Sequence, residues 1–494
     1  MIHVVWDERS AKRARNEGRD DVSHYVTELL RYSGFAAREW SPEEWAASTP
    51  SGVTVVAGLD RGRDWDALFR RYCENGNGIL AVGDTCGLDG VLGANRQKRI
   101  YEGWIDWNRH RLADGLRGSF HFFGAALVKP GEGTECAGTV RLKNGTATDH
   151  PAYTYKTHGA GCAALFAVDL ARTFWMIQQG VSVVKDGNPA PDGSAAIDDD
   201  ILKTDDSIVL DWERDRTRTD DDSVPYFSEP ILDEFRIVLT RVLHTIHEKI
   251  GKPAAQVWYW PEGLDAIGHI SHDTDGNMVD AAHMTLDRLA EAGVRSTWCV
   301  IMPGYPDEVY EKVKAAGHEI ALHYNALPAE GCSWDERLFN EQLDMLKRQV
   351  GSETAIMTNK NHYLRWEGDV QFYKWCERAG ILVEQSKGGT KRGNKGFSAG
   401  TCHPYVPMSD AGEDNRLMNV VSIPTLAWDP PDTMRCTKRE ALAIVDRCKD
   451  VNGVAHFLFH PTVIKINAAV GPFLVELVRY GRSLGLEWWT SDQL

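Results

Sequence analysis

The sequence lacks the long hydrophobic runs, paired cysteines and leader segment that mark several large classes of protein. No stretch of about 18 apolar residues occurs among the 494 residues, which argues against a membrane-spanning helix. The start, MIHVVWDERS, has no apolar segment or cleavage site of a secretory signal peptide. The 10 cysteines form no Cys-x-x-Cys pair, which argues against a zinc finger or a disulfide framework. We therefore expect a cytoplasmic protein with reduced thiols and no membrane partner.

Basic residues are also in the minority. Lys and Arg number 55 against 71 Asp and Glu, which gives a formal net charge of −16 at pH 7. Nucleic acids bind basic surfaces, so we expect no nucleic-acid partner, although a local basic pocket is compatible with this balance. Tryptophan, in contrast, is abundant, with 17 residues. Flat aromatic faces suit sugar rings, but most tryptophans are expected to pack in cores or between domains.

The chain length and pattern predict an α/β protein of more than one domain. Residues 1–184 alternate short apolar strands with amphipathic helices, which indicates a doubly wound, flavodoxin-like parallel sheet. Residues 185–252 begin with an Asp-, Gly-, Pro- and Ser-rich stretch and end in a helical pattern, and we interpret them as an acidic connector followed by a helix. Residues 253–494 carry strand candidates that alternate with helices, as in a (β/α) barrel.

Two carboxylates end the first predicted barrel strand. The segment HISHDTDG places Asp273 and Asp275 two residues apart, and extended backbone would direct both to the same face. Two such carboxylates need a cation or a proton to offset their repulsion, so one can bind a metal while the other takes a proton from water. A turn-forming Asp cluster or a Ca²⁺-like site is the alternative for this segment alone.

Histidines end two further predicted strands. His323 closes the segment GHEIALH and is a common type of ligand for divalent metals, although a histidine at a strand end is more often simply hydrogen-bonded. His460 closes the apolar segment AHFLFH and can protonate a leaving group, its alternative being a buried histidine with a backbone partner. Catalytic groups of barrels gather at the carboxyl edge of the strands, so we expect these side chains to meet there.

Two more polar segments belong to the same region. The segment NKNHYLRW crowds His362, Arg365 and Trp366 into one turn, where Arg can hold a carboxylate in a fixed fork. His403 and Tyr405 lie on a Gly-rich loop. We expect Trp366, His403 and Tyr405 to contact the substrate.

The order of these motifs resembles that of the NodB-homology polysaccharide deacetylases. The resemblance rests on Ser271–Gly276, Gly317–His323, Asn361–Trp366 and Phe457–His460, and it covers residues 260–494. It implies a distorted (β/α)7 barrel. It also implies metal-assisted removal of N- or O-linked acetyl groups from a carbohydrate substrate.

The same resemblance implies a role for each matching residue. Asp273 would be the base, and Arg365 would orient it. Asp275 and His323 would bind a divalent metal, with zinc expected and manganese, cobalt and nickel compatible. His460 would be the acid. The metal would polarise the acyl carbonyl and lower the pKa of water.

The sequence departs from the family pattern at two points. The family usually carries a second histidine four residues after the first, and that position is Leu327 here. A catalytic site with three protein ligands then needs another donor, and we expect His362 rather than His403, because His362 follows a strand at the same edge. One residue also separates Asp273 from Asp275, so the roles of base and ligand can be exchanged between them.

Residues 1–180 resemble class I glutamine amidotransferase-like domains, through the segments 76–93 and 159–170. An active domain of this kind carries its nucleophile in a Gly-x-Cys-x-Gly turn with a histidine partner. Cys86 lies in GDTCG instead, so we expect a non-catalytic domain. The resemblance implies that this domain supports subunit assembly or shapes the substrate cleft, and we expect a homo-oligomer formed through it.

Three hypotheses follow for the function of the chain. The first is a metal-dependent hydrolase that removes acetyl groups from a carbohydrate. The second is an amidase acting on a C–N bond outside sugars. The third, motivated by Leu327, is a catalytically weakened carbohydrate-binding or assembly protein.

Overall fold

A computed structural model describes residues 1–59, 63–187, 190–195, 200–220 and 223–494. The chain divides into two compact units. The first comprises residues 1–176, 231–261 and 409–416, and the second comprises residues 177–230, 262–408 and 417–494. The predicted connector segment consists of an Asp-rich stretch and a helix. These two parts belong to different units. Residues 188–189, 196–199 and 221–222 of that connector lie outside the described residues.

In its described residues, the first unit contains nine strands, six complete helices and the beginning of a seventh. The strands are β1 (Ile2–Val5), β2 (Ala37–Trp40), β3 (Val53–Val56), β4 (Gly78–Val82), β5 (Ala94–Asp106), β6 (His121–Pro130), β7 (Glu135–Leu142), β8 (Ala147–His158) and β9 (Gly161–Phe166). The helices are α1 (Glu8–Asn16), α2 (Tyr25–Tyr32), α3 (Pro42–Ser48), α4 (Trp65–Glu74), α5 (Asp89–Leu92), α6 (Leu170–Gln179), which begins in this unit, and α7 (Ile231–Lys249).

The sheet of the first unit is only half parallel. Its order is β2-β1-β3-β4-β9-β8-β7-β5-β6. The pairs from β2 to β9 are parallel, and the pairs from β9 to β6 are antiparallel. The predicted doubly wound, flavodoxin-like sheet is therefore incomplete. Most residues of the 13-residue β5 are exposed or half-buried, so this strand lacks the apolar run by which buried parallel strands are recognised.

The described part of the second unit contains nine further strands and seven further helices. The strands are β10 (Ile267–Asp273), β11 (Thr297–Ile301), β12 (Glu319–Tyr324), β13 (Thr358–Asn361), β14 (Val383–Glu384), β15 (Val421–Ser422), β16 (Ala427–Trp428), β17 (Val454–Leu458) and β18 (Glu487–Trp488). The helices are α8 (Val279–Ala292), α9 (Asp307–Ala315), α10 (Glu336–Val350), α11 (Gln371–Ala379), α12 (Lys438–Asp450), α13 (Pro461–Ile466) and α14 (Val470–Ser483).

Every strand pair of the second unit is parallel, as the alternation of strands and helices predicts. The order is β15-β14-β13-β12-β11-β10-β17-β16, and β18 also pairs with β10. Within the described residues β15 and β16 do not pair, so hydrogen bonds do not close the sheet into a full barrel. Parallel pairing brings the carboxyl ends of β10, β12, β13 and β17 to one edge.

Part of the predicted connector packs into the second unit. Thr204 and Asp205 are fully buried, and the Thr204 hydroxyl donates to the carbonyl oxygens of Ser386 and Gly388, at 2.9 Å each. The acidic composition predicts a connector here, yet this part of it is buried. Hydrogen bonds to the residues after β14 compensate the burial of these polar groups instead. In the part of the chain that the structure describes, no helix has both the length and the apolar composition to cross a membrane.

Candidate active site

Strand register brings four distant segments of the second unit together. β10 ends at Asp273, and Asp275 follows in a short turn. His323 lies near the end of β12 and pairs with Lys360 of β13 in parallel register. His362 comes directly after β13, and His460 follows the end of β17 by two residues. These side chains meet at the carboxyl edge of the sheet. The sequence motifs predict the same meeting point.

Asp275, His323 and His362 form a cluster of potential metal ligands. One ligand atom from each lies within 4.8 Å of the other two. Asp275 Oδ1 is 3.3 Å from His323 Nε2 and 3.5 Å from His362 Nε2. The structure thus brings the predicted third ligand, His362, to the two residues that the motifs place there, while Leu327 is buried as an apolar side chain.

Hydrogen bonds hold both imidazoles with Nε2 toward Asp275. His323 Nδ1 lies 2.9 Å from the carbonyl oxygen of Lys360, which can only accept, so the proton of this ring is on Nδ1. His362 Nδ1 lies 3.4 Å from Asn325 Oδ1. A metal-binding histidine normally donates from its other nitrogen in this way, because the donation fixes the ring and leaves a lone pair for the ion. The contact of Asn325 with His362 was not apparent from the sequence, because a single Asn after a strand carries no signal for such a contact.

The cluster fits a divalent cation. Asp275 Oδ1 and His323 Nε2 are buried, and no described residue forms a hydrogen bond with either atom. With the proton on His323 Nδ1, both atoms present lone pairs to each other, and a cation between them would satisfy both. One carboxylate and two imidazoles are ligands that suit Zn²⁺ and related ions, and catalytic zinc sites commonly have three protein ligands.

The charges around Asp275 and His323 favour the binding of a cation. Burial alone would raise the pKa of Asp275, but the neighbouring imidazoles of His323 and His362 hold the pKa of this carboxyl well below its usual range. Burial alone would lower the pKa of His323, but Asp273 and Asp275 raise it. A bound cation would take the place of the proton that these groups attract.

Lys360 is the cation nearest to Asp273. Its side chain is fully buried, and Nζ lies 3.6 Å from Asp273 Oδ1 and hydrogen-bonds to the Ser271 hydroxyl. Ser271 Oγ lies 2.8 Å from His456 Nε2, which extends the polar contacts into the sheet. Asp273 Oδ2 is 3.8 Å from His323 Nε2. Sequence reasoning missed Lys360, because a lysine inside a strand is usually placed at the surface.

Arg365, which the motif assigns to the base, lies elsewhere. Its guanidinium contacts Glu367, and within the described residues it forms no ion pair with Asp273. The preceding turn takes the chain away from the strand direction, since Tyr363 and Leu364 have φ values of 58° and 50°. The backbone of Arg365 pairs instead with Lys203.

His460 is held by Asp429, a residue that follows β16. Asp429 is fully buried and accepts from the backbone N–H of His460 at 2.8 Å and from Nδ1 at 2.7 Å. The remaining nitrogen, Nε2, is 3.7 Å from Asp275 Oδ2. Burial alone would lower the pKa of His460, but Asp429, with smaller contributions from Asp275 and Asp273, raises it to about 9, which favours the protonated ring at neutral pH. The sequence signal for Asp429 is its position directly after a strand that ends at the same edge.

The cluster opens into a pocket of about 600 Å³. Asp273, Asp275, His362 and His460 line it together with apolar side chains. The apolar side chains are Tyr363, Leu364, Trp428, Met434, Leu458, Val463 and Ile466. Aromatic and aliphatic surfaces of this kind can pack against the C–H faces of a sugar ring.

The three residues expected to contact substrate do not line this pocket. His403 is buried with Nε2 2.8 Å from the carbonyl oxygen of Val451. Tyr405 donates its hydroxyl to the carbonyl of Gln178 at 3.0 Å, and the Trp366 indole donates to the carbonyl of Asp369 at 2.9 Å. All three satisfy their polar atoms inside the unit, because a buried donor costs free energy unless it has an acceptor.

The surroundings of Cys86 in the first unit disfavour a thiolate. Burial, with a contribution from Asp84, raises the pKa of the thiol to about 12. A cysteine nucleophile reacts as the thiolate, which needs a lowered pKa.

Comparison with known proteins gives structural similarity only. No protein-family model matches the sequence, and no curated protein matches it. The chain is similar to a protein assigned as a polysaccharide deacetylase from Mycobacterium smegmatis, with 18% identity, a TM-score of 0.35, and coverage of 49% of this chain and 92% of that chain. A family 4 acetyl xylan esterase from Clostridium thermocellum, solved with a cobalt ion, matches with 13% identity, a TM-score of 0.30, and 46% and 89% coverage. A family 4 carbohydrate esterase from Streptomyces lividans, solved with acetate, matches with 10% identity, a TM-score of 0.29, and 46% and 93% coverage.

Proposed function

We propose that this protein is a metal-dependent hydrolase that removes N- or O-linked acetyl groups from a carbohydrate. The observation that carries the proposal is that Asp273, Asp275, His362 and His460 line one pocket. The buried His323 contacts both carboxylates there and completes the ligand cluster. A ligand cluster with a carboxylate on one side and a protonated histidine on the other has the parts needed to hydrolyse an acyl bond.

Asp275, His323 and His362 would hold the metal. A carboxylate and two imidazoles favour Zn²⁺, and Mn²⁺, Co²⁺ and Ni²⁺ are compatible with the same ligands. The ion supplies Lewis acidity when it is bound, which polarises the acyl carbonyl and lowers the pKa of water. The distances favour Asp275 as the ligand and Asp273 as the base, because both histidine Nε2 atoms lie nearest to Asp275.

Asp273 would take the proton from the attacking water. Lys360 Nζ, 3.6 Å from Oδ1, would stabilise the negative charge of this carboxylate. The other oxygen, Oδ2, then faces the region of His323. Lys360 would perform the orienting role that the motif gives to Arg365.

His460 would donate a proton from Nε2 to the leaving amine or alkoxide. Asp429 holds the ring by Nδ1 and stabilises its protonated form. A general acid of this kind contributes about 10²- to 10⁴-fold to a rate.

Acetate release tests the proposal directly. Acetylated mono- and oligosaccharides are incubated with the full-length chain and Zn²⁺, Mn²⁺, Co²⁺ or Ni²⁺, and the wild type is compared with Asp273→Asn. We expect metal-dependent release that the substitution lowers by at least about 100-fold. Asp344→Asn, on the exposed surface of α10, is the matched control. Equal rates for wild type and Asp273→Asn would remove Asp273 from the mechanism.

Two other hypotheses predict different results. Release of ammonia or an amine from amides outside sugars, without acetate release from any acetylated sugar, would favour an amidase. A chain that holds no divalent ion would favour the carbohydrate-binding or assembly protein.

We also propose that the first unit is non-catalytic and joins copies of this chain. Light scattering of the full-length protein measures the oligomeric state.

A further inference from the structure

The pocket carries positive charge that hydrolysis does not require. Lys391, Arg392 and Arg435 line it, and the carboxylates among its described lining residues are Asp273 and Asp275, which the catalytic site uses. The chain as a whole has a formal net charge of −16. A pocket lined by three basic side chains is therefore not expected from the composition alone. Arg435 hydrogen-bonds to Asp429 and thereby belongs to the contacts that hold His460.

The loop that carries Lys391 and Arg392 is held in place by Asp205. The fully buried Asp205 carboxylate accepts from the Thr390 hydroxyl at 2.6 Å, the Thr390 backbone N–H at 3.1 Å and the Asn394 amide at 2.8 Å. Asn394 Oδ1 in turn accepts from the backbone N–H of Lys391 at 2.7 Å. A buried carboxylate with several donors is a stable anchor, so the two cations are presented to the pocket from a fixed backbone.

Close packing supports the same conclusion. A Cβ atom at Gly389 would lie 2.0 Å from the carbonyl oxygen of Asn394, so the tight approach of the loop to itself requires glycine at this position.

Arg392 has a donor that the described residues leave unused. Its Nε is buried and has no hydrogen-bond partner there. A buried N–H without an acceptor costs free energy, and the Arg392 side chain that carries it lines the pocket. Guanidinium groups bind carboxylates and phosphates through paired hydrogen bonds, which are stronger than bonds between neutral groups.

We propose that the carbohydrate substrate carries an anionic group, a carboxylate or a phosphate, that Lys391 and Arg392 bind while the acetyl group lies at the metal cluster. The apolar side chains of the pocket, Trp428 among them, then pack against the sugar ring between the two ends. The inference rests on the proposed function for the position of the acetyl group, but the preference for an anion is a binding property of its own.

Binding of matched sugars tests this inference. The probes are methyl N-acetylglucosaminide, which is neutral, N-acetylglucosamine 1-phosphate and 2-acetamido-2-deoxyglucuronic acid. Each is titrated calorimetrically into the full-length Asp273→Asn variant with Zn²⁺ at low salt, so that no probe is consumed. We expect one anionic probe to bind at least about tenfold more tightly than the neutral probe, and the preferred probe identifies the anionic group.

Variants of the loop identify the residues responsible. Lys391→Gln and Arg392→Gln should each reduce the preference for the anionic probe, and the double variant should abolish it. Lys347→Gln, which removes one positive charge from the exposed surface of α10, should retain it. Circular dichroism verifies that each variant is folded.

Two outcomes would overturn the inference. One is equal affinity for the neutral and both anionic probes, and the other is an unchanged preference in the double variant. Acetate release from neutral sugars together with either outcome would leave the proposed function intact. A preference for the anion without acetate release by the wild type would contradict the proposed function, and the inference of an anion-binding site would stand.

Discussion

Asp429 accepts two hydrogen bonds from His460, one from the backbone N–H at 2.8 Å and one from Nδ1 at 2.7 Å. One carboxylate therefore sets both the path of the chain after β17 and the orientation of the imidazole. The charge of Asp429 also stabilises the protonated ring, whose Nε2 faces Asp275.

Asp429→Asn should lower kcat for acetate release by about 100-fold with little change in KM. The substitution removes the negative charge that stabilises the protonated ring, and a general acid contributes about 10²- to 10⁴-fold. Steady-state kinetics measure the effect, and Asp344→Asn on α10 is the matched control. A rise in KM at unchanged kcat would place Asp429 in substrate binding rather than in support of the acid.

Lys360→Met should lower kcat more than Arg365→Gln does. The first substitution leaves the buried Asp273 carboxylate without its nearest cation, at a cost of several kcal/mol for an unpaired buried charge, about 3 to 5 by analogy with broken buried pairs. Lys360→Arg keeps the charge and should restore part of the activity. Single-turnover rates of folded variants measure the difference. A larger loss in Arg365→Gln would return the orienting role to Arg365.

Metal content should depend on Asp275, His323 and His362 but not on His403. We expect the wild type to hold about one divalent ion per chain, because three ligands are typical of a catalytic zinc site. Alanine at any of the three ligands should lower the affinity by at least about tenfold, since even the loss of a residue that supports a ligand costs about 10- to 100-fold. Atomic emission after dialysis against Zn²⁺ measures the content. His403→Gln should bind metal as the wild type does, and its loss of metal would identify a different ligand set.

Glu384 should make stability depend on pH. Burial, against the effect of contacts with Ser386, raises the pKa of Glu384 from 4.5 to about 7, and its Oε2 has no hydrogen-bond partner in the described residues. The folded protein holds this proton more tightly than the unfolded chain, so the contribution of Glu384 to the free energy of unfolding is complete below pH 4.5 and is lost as the pH rises through about 7.

Glu384→Gln cannot lose a proton and should therefore gain in Tm relative to the wild type as the pH rises from about 5 to about 8. Thermal unfolding followed by circular dichroism measures this difference. Glu308→Gln, at an exposed position of α9, should show a difference that does not vary with pH. A constant difference for Glu384→Gln would mean that the buried carboxyl stays ionised.

Much of the second unit was predictable because its strands and helices alternate. Buried parallel strands read as apolar runs, and their carboxyl ends meet at one edge, so Asp273, His323 and His460 were expected to converge. The antiparallel strands β5 to β8 of the first unit were missed, because partly exposed strands lack that apolar signal.

The sequence by itself indicated the edge at which Asp273, His323 and His460 meet, since strand direction and side-chain alternation are local properties of the chain. Only the tertiary structure decided which groups support them. Lys360 rather than Arg365 reaches Asp273, Asp429 holds His460, and Asp205 anchors the loop of Lys391. These partners are distant in sequence, and burial selects them because each charge removed from water needs a partner within hydrogen-bond reach.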